Sequence, residues 1–126
     1  MRIFLIAAAL LLASLGGARA QVLSCTLPQS IFILHPAGET AYTIGTPDQC
    51  TSLIFQNTGA ETVTLPQPGT TFFPPGYQVR MTAFGAGGLT VQRANTSYTV
   101  NLGASVAKAQ GLNTLCITDG NNWWCV

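Results

Sequence analysis

The sequence predicts an all-β fold, a small single-domain antiparallel β-sandwich or jelly-roll-like fold held by two disulfides. Three observations carry that expectation. Apolar and polar residues alternate with a period of two in several short runs, as half-buried strands require. Gly-, Pro- and Asn-rich turns recur at short intervals, the pattern of a sandwich or barrel. Charge density is low, 7%, so Thr, Asn, Gln and Ser must supply most of the solvated surface.

The chain opens on a segment that reads as a signal peptide. Arg2 precedes an apolar run from Ile3 to Leu15, then Gly16-Gly17 and Ala18-Arg19-Ala20: a basic start, a hydrophobic stretch and an A-x-A cleavage site. Residues 1–20 are therefore expected to be removed, leaving residues 21–126 as one domain. The run is too short to span a bilayer as a helix, so no membrane span is expected. Val22-Leu23-Ser24-Cys25 loosely resembles a lipid-attachment box. Cys25 lies well past the apolar run, however, and acylating it would leave an odd number of cysteines. The expected location is secreted, periplasmic or at the cell surface.

Strand candidates run along the remainder in order: Ser30 to Leu34, Thr51 to Gln56, Glu61 to Leu65, Tyr77 to Ala83 and Tyr98 to Leu102. Residues 21–40 are the least defined and suggest an appended strand pair. Asn57-Thr58-Gly59, Pro66 to Gly69, Pro74-Pro75-Gly76 and Gly85 to Gly88 punctuate them. Only Ala104 to Gln110 looks helical, for one or two turns and without a clear apolar stripe.

At the C-terminal end, Leu115-Cys116-Ile117-Thr118-Asp119-Gly120-Asn121-Asn122-Trp123-Trp124-Cys125-Val126 reads as a hairpin. Gly-Asn tolerates the positive φ of a two-residue turn. With Gly120-Asn121 at the tip, or with a loop from Asp119 to Asn122, Cys116 faces Cys125, Ile117 faces Trp124 and Thr118 faces Trp123. Opposed residues have Cβ atoms about 4.5–5.5 Å apart, close to disulfide geometry. Cys116–Cys125 is therefore expected, which leaves Cys25–Cys50. The register places Leu115, Ile117, Trp124 and Val126 on one wholly apolar face, expected to be core. Cys116, Thr118, Trp123 and Cys125 share the other. Trp123 then either packs over the bridge or presents its ring to a ligand, with Asn121, Asn122 and Tyr98 as polar and aromatic companions.

The residues also carry a family resemblance. AYTIGTPDQCTSLIFQNTGAETVTLPQPG (41–69), PPGYQVRMTAFGAGGLTVQRA (74–94) and NTLCITDGNNWWCV (113–126) resemble, in order and spacing, a small β-module of bacteriophage tail-fibre and virion proteins. That resemblance covers about residues 41–126. It implies a non-catalytic domain used in assembly or surface attachment, often as a trimer. The signal peptide and four cysteines depart from fibre proteins and suggest an exported, cell-encoded protein on a similar module.

Several chemistries find no support. Without residues 1–20, Arg80, Arg93 and Lys108 face Glu39, Asp48, Glu61 and Asp119, so no basic stripe exists for nucleic acid. A single histidine, His35, and no CxxC spacing give no metal site, and no cofactor motif occurs. His35 reads as a surface or capping residue, and each carboxylate falls at a turn or strand edge where solvation explains it. Gly85 to Gly88 lacks the helix and Lys of a phosphate loop. No enzymatic activity is expected. Asn95-Thr96-Ser97 is a glycosylation sequon, meaningful in a eukaryote. Three roles remain: a structural or adhesion module that binds a protein partner or self-associates, a lectin-like domain stacking a cell-surface glycan on Trp123, and a hydrolase or inhibitor that gathers His35 with a carboxylate.

Overall fold

The computed structural model describes Cys25 and residues 32–126; the expected signal peptide lies outside these residues, as does the rest of 21–31. Among the described residues nine strands follow in order: β1 (Phe32–His35), β2 (Ala41–Thr43), β3 (Ser52–Phe55), β4 (Glu61–Leu65), β5 (Gln78–Ala83), β6 (Leu89–Arg93), β7 (Ser105–Lys108), β8 (Asn113–Thr118) and β9 (Trp123–Cys125). They form a five-stranded sheet, β1-β3-β5-β8-β9, facing a four-stranded sheet, β2-β4-β6-β7. The all-β sandwich predicted from alternation is what the chain adopts. β1 belongs to the main sheet rather than to an appendage.

Strand direction departs from the antiparallel expectation. β1, β3 and β5 are parallel, as are β2, β4 and β6; only β5–β8, β6–β7 and β8–β9 are antiparallel. The first six strands alternate between sheets, so the chain winds through three coils, each giving one strand to each sheet. A period of two reports which side of a strand is buried and says nothing about its neighbour's direction. Among the first six strands, each pairs with the next but one in sequence.

Alternation does select the core. Leu53 and Phe55 on β3, Val63 and Leu65 on β4, Val79, Met81 and Ala83 on β5, and Leu89 and Val91 on β6 all point between the sheets. Stacking the coils lays Leu53 beside Met81 and Val63 beside Val91. Each such side chain contributes about 1.5–3 kcal/mol when fully buried. The second and third coils also meet backbone to backbone at one end. A Cβ on Gly85 would lie 1.7 Å from the carbonyl oxygen of Asn57, and one on Gly87 would lie 1.8 Å from the carbonyl carbon of Gly59. The glycine-rich turn is thus a packing requirement.

Two segments differ from expectation. Tyr98–Leu102 is a turn, not a strand: Asn101 and Leu102 have φ of 50° and 66°, and Leu102 is exposed. Tyr98 and Val100 still point inward, which accounts for the alternating pattern. Ala104–Gln110 holds strand β7 instead of a helix, because the free edge of β6 offers it a ladder from Leu89–Lys108 to Gln92–Ser105. Helix propensity is a weak prior against such a partner. Both expected disulfides form, Cys25–Cys50 and Cys116–Cys125.

Candidate functional site

The C-terminal hairpin has the predicted register: Cys116 opposite Cys125, Ile117 opposite Trp124 and Thr118 opposite Trp123. Its turn is held by Asp119, whose Oδ1 accepts the amides of Asn121 and Asn122, both at 2.7 Å. Gly120 takes the positive φ, at 96°.

The two faces, however, are exchanged. Trp123 is 0% exposed, whereas Trp124, expected in the core, is 41% exposed. The reason lies one strand away, in β5. Val79 pairs with Cys116 and Met81 with Thr114, so the side of β8 that follows the buried side of β5 is the cysteine and threonine side. Trp123 fills the interior against Tyr77, at 5.8 Å between ring centres, and Phe73. Its indole N–H donates to the Pro66 carbonyl at 2.8 Å, the partner that a buried tryptophan needs.

The expected contact residues are therefore mostly structural. Tyr98 is buried, donates its hydroxyl to the Leu65 carbonyl and accepts the Ala94 amide; burial raises its pKa. Asn122 Oδ1 accepts both the amide and the hydroxyl of Thr99. Asn121 alone of the four is exposed. Neither Trp123 nor Tyr98 offers a ring face for stacking.

The free edge of β9 is also covered. Trp123 N–H donates to Thr99 and Asn101 N–H to Trp123. The Asn101 side chain then bonds both backbone groups of Cys125, at 2.6 and 2.7 Å. An amide side chain here imitates a neighbouring strand and shields an edge that would otherwise pair.

What remains outside is a sandwich with two unlike faces. On the five-stranded sheet, Leu34, Phe84, Trp124 and Val126 are exposed, with Ile54, Leu115 and Ile117 half-buried between them. Arg80 is the one charged strand residue on this side. Trp124 is held in place by its N–H bond to Asp119 Oδ2 at 2.8 Å, and that bond is the first cause of a lowered Asp119 pKa. The four-stranded sheet presents Ala41, Thr62, Thr90 and Ala107 in one row and Thr43, Thr64, Gln92 and Ser105 in the next. The first face sets its apolar side chains among Ser52, Gln78, Arg80, Thr82 and Asn113; the second is hydroxyl-rich.

A second constellation lies where the first coil covers the second. His35 and Glu61, expected to be solvated, are 6% and 1% exposed. Glu61 sits on the inward row of β4 with Val63 and Leu65, and the first coil closes over it. His35 stacks on Phe55 at 4.6 Å and lies 4.2 Å from the Tyr42 ring. Its Nδ1 is 2.8 Å from Oε2 of half-exposed Glu39. Burial is the first cause of a raised Glu61 pKa, with His35 opposing it and Glu39 adding to it. Nearby, Asp48 is buried at the end of the one-turn 3-10 helix Thr46–Asp48 rather than solvated, and its Oδ2 reaches back to accept the Gly45 amide and also accepts the Tyr42 hydroxyl. Burial and that bond push the Tyr42 hydroxyl up to about 12.

The fold thus gathers His35 with two carboxylates, yet among the described residues no hydroxyl or thiol is hydrogen-bonded to the ring. The arrangement can hold a proton; it presents no activated nucleophile. Among the described residues no group of three or more His, Cys, Asp or Glu is placed to hold a metal, and no helix is long and apolar enough to cross a membrane. No protein-family model matches the chain, and no curated protein matches it.

Proposed function

We propose that this chain is an exported, non-catalytic structural or adhesion module that acts by docking through the outer face of its five-stranded sheet. The observation that carries the reading is the contrast between that face and the hydroxyl-rich one. Hairpin residues Leu115, Ile117, Trp124 and Val126, apolar enough to be mistaken for core, are turned outward together. Exposed apolar side chains gathered on one hairpin are the kind of surface that interaction sites use, and a half-exposed tryptophan fixed by Asp119 is a suitable anchor. The signal-peptide pattern, the two disulfides and the resemblance to tail-fibre modules support an exported unit that associates with further copies of itself, in trimers if it follows those modules.

Light scattering of the processed chain over a range of concentrations tests this. Association that Trp124→Ala abolishes, with the thermal transition retained, is the expected result. A monomer at every concentration, with no protein partner retained on the face, would sink the proposal. A glycan-binding reading survives only if moved from Trp123 to Trp124, which is exposed on the same hairpin as Asn121. Glycan-array binding lost in Trp124→Ala but kept in Asn122→Ala would favour it over self-association.

A further inference from the structure

Three buried polar side chains meet between the first two coils with bonding capacity unused. Neither carboxylate oxygen of Glu61, neither amide atom of Asn57, and not Nε2 of His35 has a hydrogen-bond partner. All three are buried, Glu61 most deeply. Native interiors satisfy such groups because an unmade bond forfeits the hydration that was given up.

Proton counting narrows the possibilities. His35 Nδ1 faces Glu39 Oε2, so an ionised Glu39 requires a hydrogen on Nδ1. If the ring is neutral, Nε2 is a bare acceptor, and the acid form of Glu61 is a donor for it. If the ring is cationic, Nε2–H needs an acceptor, and the Glu61 carboxylate is one. Both arrangements place a single proton between the same two groups and, since neither is hydrogen-bonded to the other, the link between them runs through a buried water. We propose that Glu61 and Nε2 of His35 hold one proton between them, and that this shared proton latches the first coil on to the second.

Removing the proton leaves Glu61 and Glu39 ionised around a neutral ring, with lone pairs facing lone pairs. Of the neighbours, the Asn57 side chain favours the ionised form and opposes this only in part, since burial leads and the pKa stays raised. The charged groups acting on Glu61 are His35 from β1 and Glu39 from the β1–β2 turn. Asn57 from the β3–β4 turn is neutral, and the Tyr42 hydroxyl is committed to Asp48. The β6 neighbour of Glu61 is Leu89, with Lys108 one strand further out. The raised pKa of Glu61 agrees with a proton retained in the closed state. Opening the first coil would release that proton and uncover the edges of β3 and β4, while Cys25–Cys50 keeps the segment tethered.

Hydrogen exchange on the full chain, corrected for intrinsic base catalysis, reads the latch directly. Between the ordinary carboxylate value and the raised one, each pH unit should increase opening of β1 and β2 about tenfold, as release of one proton demands. Opening should then level off, with β5 and β8 amides unaffected. Glu61→Gln should abolish the pH dependence. Carbon NMR of the Glu61 carboxyl in the unaltered chain provides a test that does not rely on the variant folding. Titration at the ordinary value, or an unchanged exchange profile in Glu61→Gln, overturns the proposal.

Discussion

Val79 on β5 lies opposite Cys116 on β8, and this one pairing orients the last hairpin. Because Val79 points between the sheets, Cys116 does too, and Cys125 and Trp123 follow it through the β8–β9 register. Trp124 is left outside.

The two tryptophans should therefore respond oppositely to truncation. Trp123→Ala empties the space between Tyr77 and Phe73 and orphans the Pro66 carbonyl; it should cost about 3–5 kcal/mol in denaturant unfolding. Trp124→Ala should stay within about 1 kcal/mol, since a half-exposed residue loses little burial. Equal losses would mean that the hairpin faces are wrongly assigned.

Gly85 and Gly59 form a matched pair of probes. Gly85→Ala drives a methyl into the Asn57 carbonyl, so the stacked turns must separate, and a loss of roughly 1–3 kcal/mol is expected. Nothing lies within 4 Å of a Cβ on Gly59, so Gly59→Ala should be near neutral. Urea midpoints of the two variants decide it.

Stability should also depend on Glu61 ionisation. Its folded pKa is raised above the ordinary 4.5 by burial, so the folded chain binds the proton more tightly than the unfolded one. The resulting stability is complete below the ordinary value and declines as pH rises through the raised one. Melting temperatures of the parent minus those of Glu61→Gln should fall over that interval. A difference that grows with pH contradicts the burial of Glu61.

Asp119 behaves in the opposite sense. Its pKa is lowered, first by the Trp124 N–H bond, so what it contributes is present above the unfolded value and fades as pH falls through the lowered one. Being exposed, it should affect Trp124 more than global stability. Asp119→Asn should shift Trp124 fluorescence, and the parent should show the same shift on acidification; emission unaltered by either would exclude the bond.

Each disulfide can be removed in turn. The Cys25–Cys50 and Cys116–Cys125 bridges span 25 and 9 residues, and loop-closure entropy gives about 3 kcal/mol for each, slightly more for the longer. Non-reducing peptide mapping should recover both pairs, and Cys25 linked to Cys116 or Cys125 would refute the topology.

Much of this was legible in the residues. Glu61-Thr62-Val63-Thr64-Leu65 marks β4 to the residue, and counting outward from Gly120-Asn121 places Cys116 against Cys125. Burial of Glu61 was missed: a lone carboxylate beside a turn suggests solvent, although Glu61 shares the Val63 and Leu65 side of that strand. Asn101 and Leu102 were not legible, because alternation through Tyr98 and Val100 continues past the point where the backbone turns.

Residue spacing by itself determined β1, β3, β4 and β5, the hairpin register, both disulfides and which side chains share a face. Tertiary structure alone decided that the early strands run parallel, that Trp123 rather than Trp124 enters the core, and that His35 meets Glu39 and Glu61. The division has a physical cause. A strand's period of two divides its side chains into two sets through local backbone geometry. Which set loses its water is settled only by the strands and coils that pack against it from elsewhere in the chain.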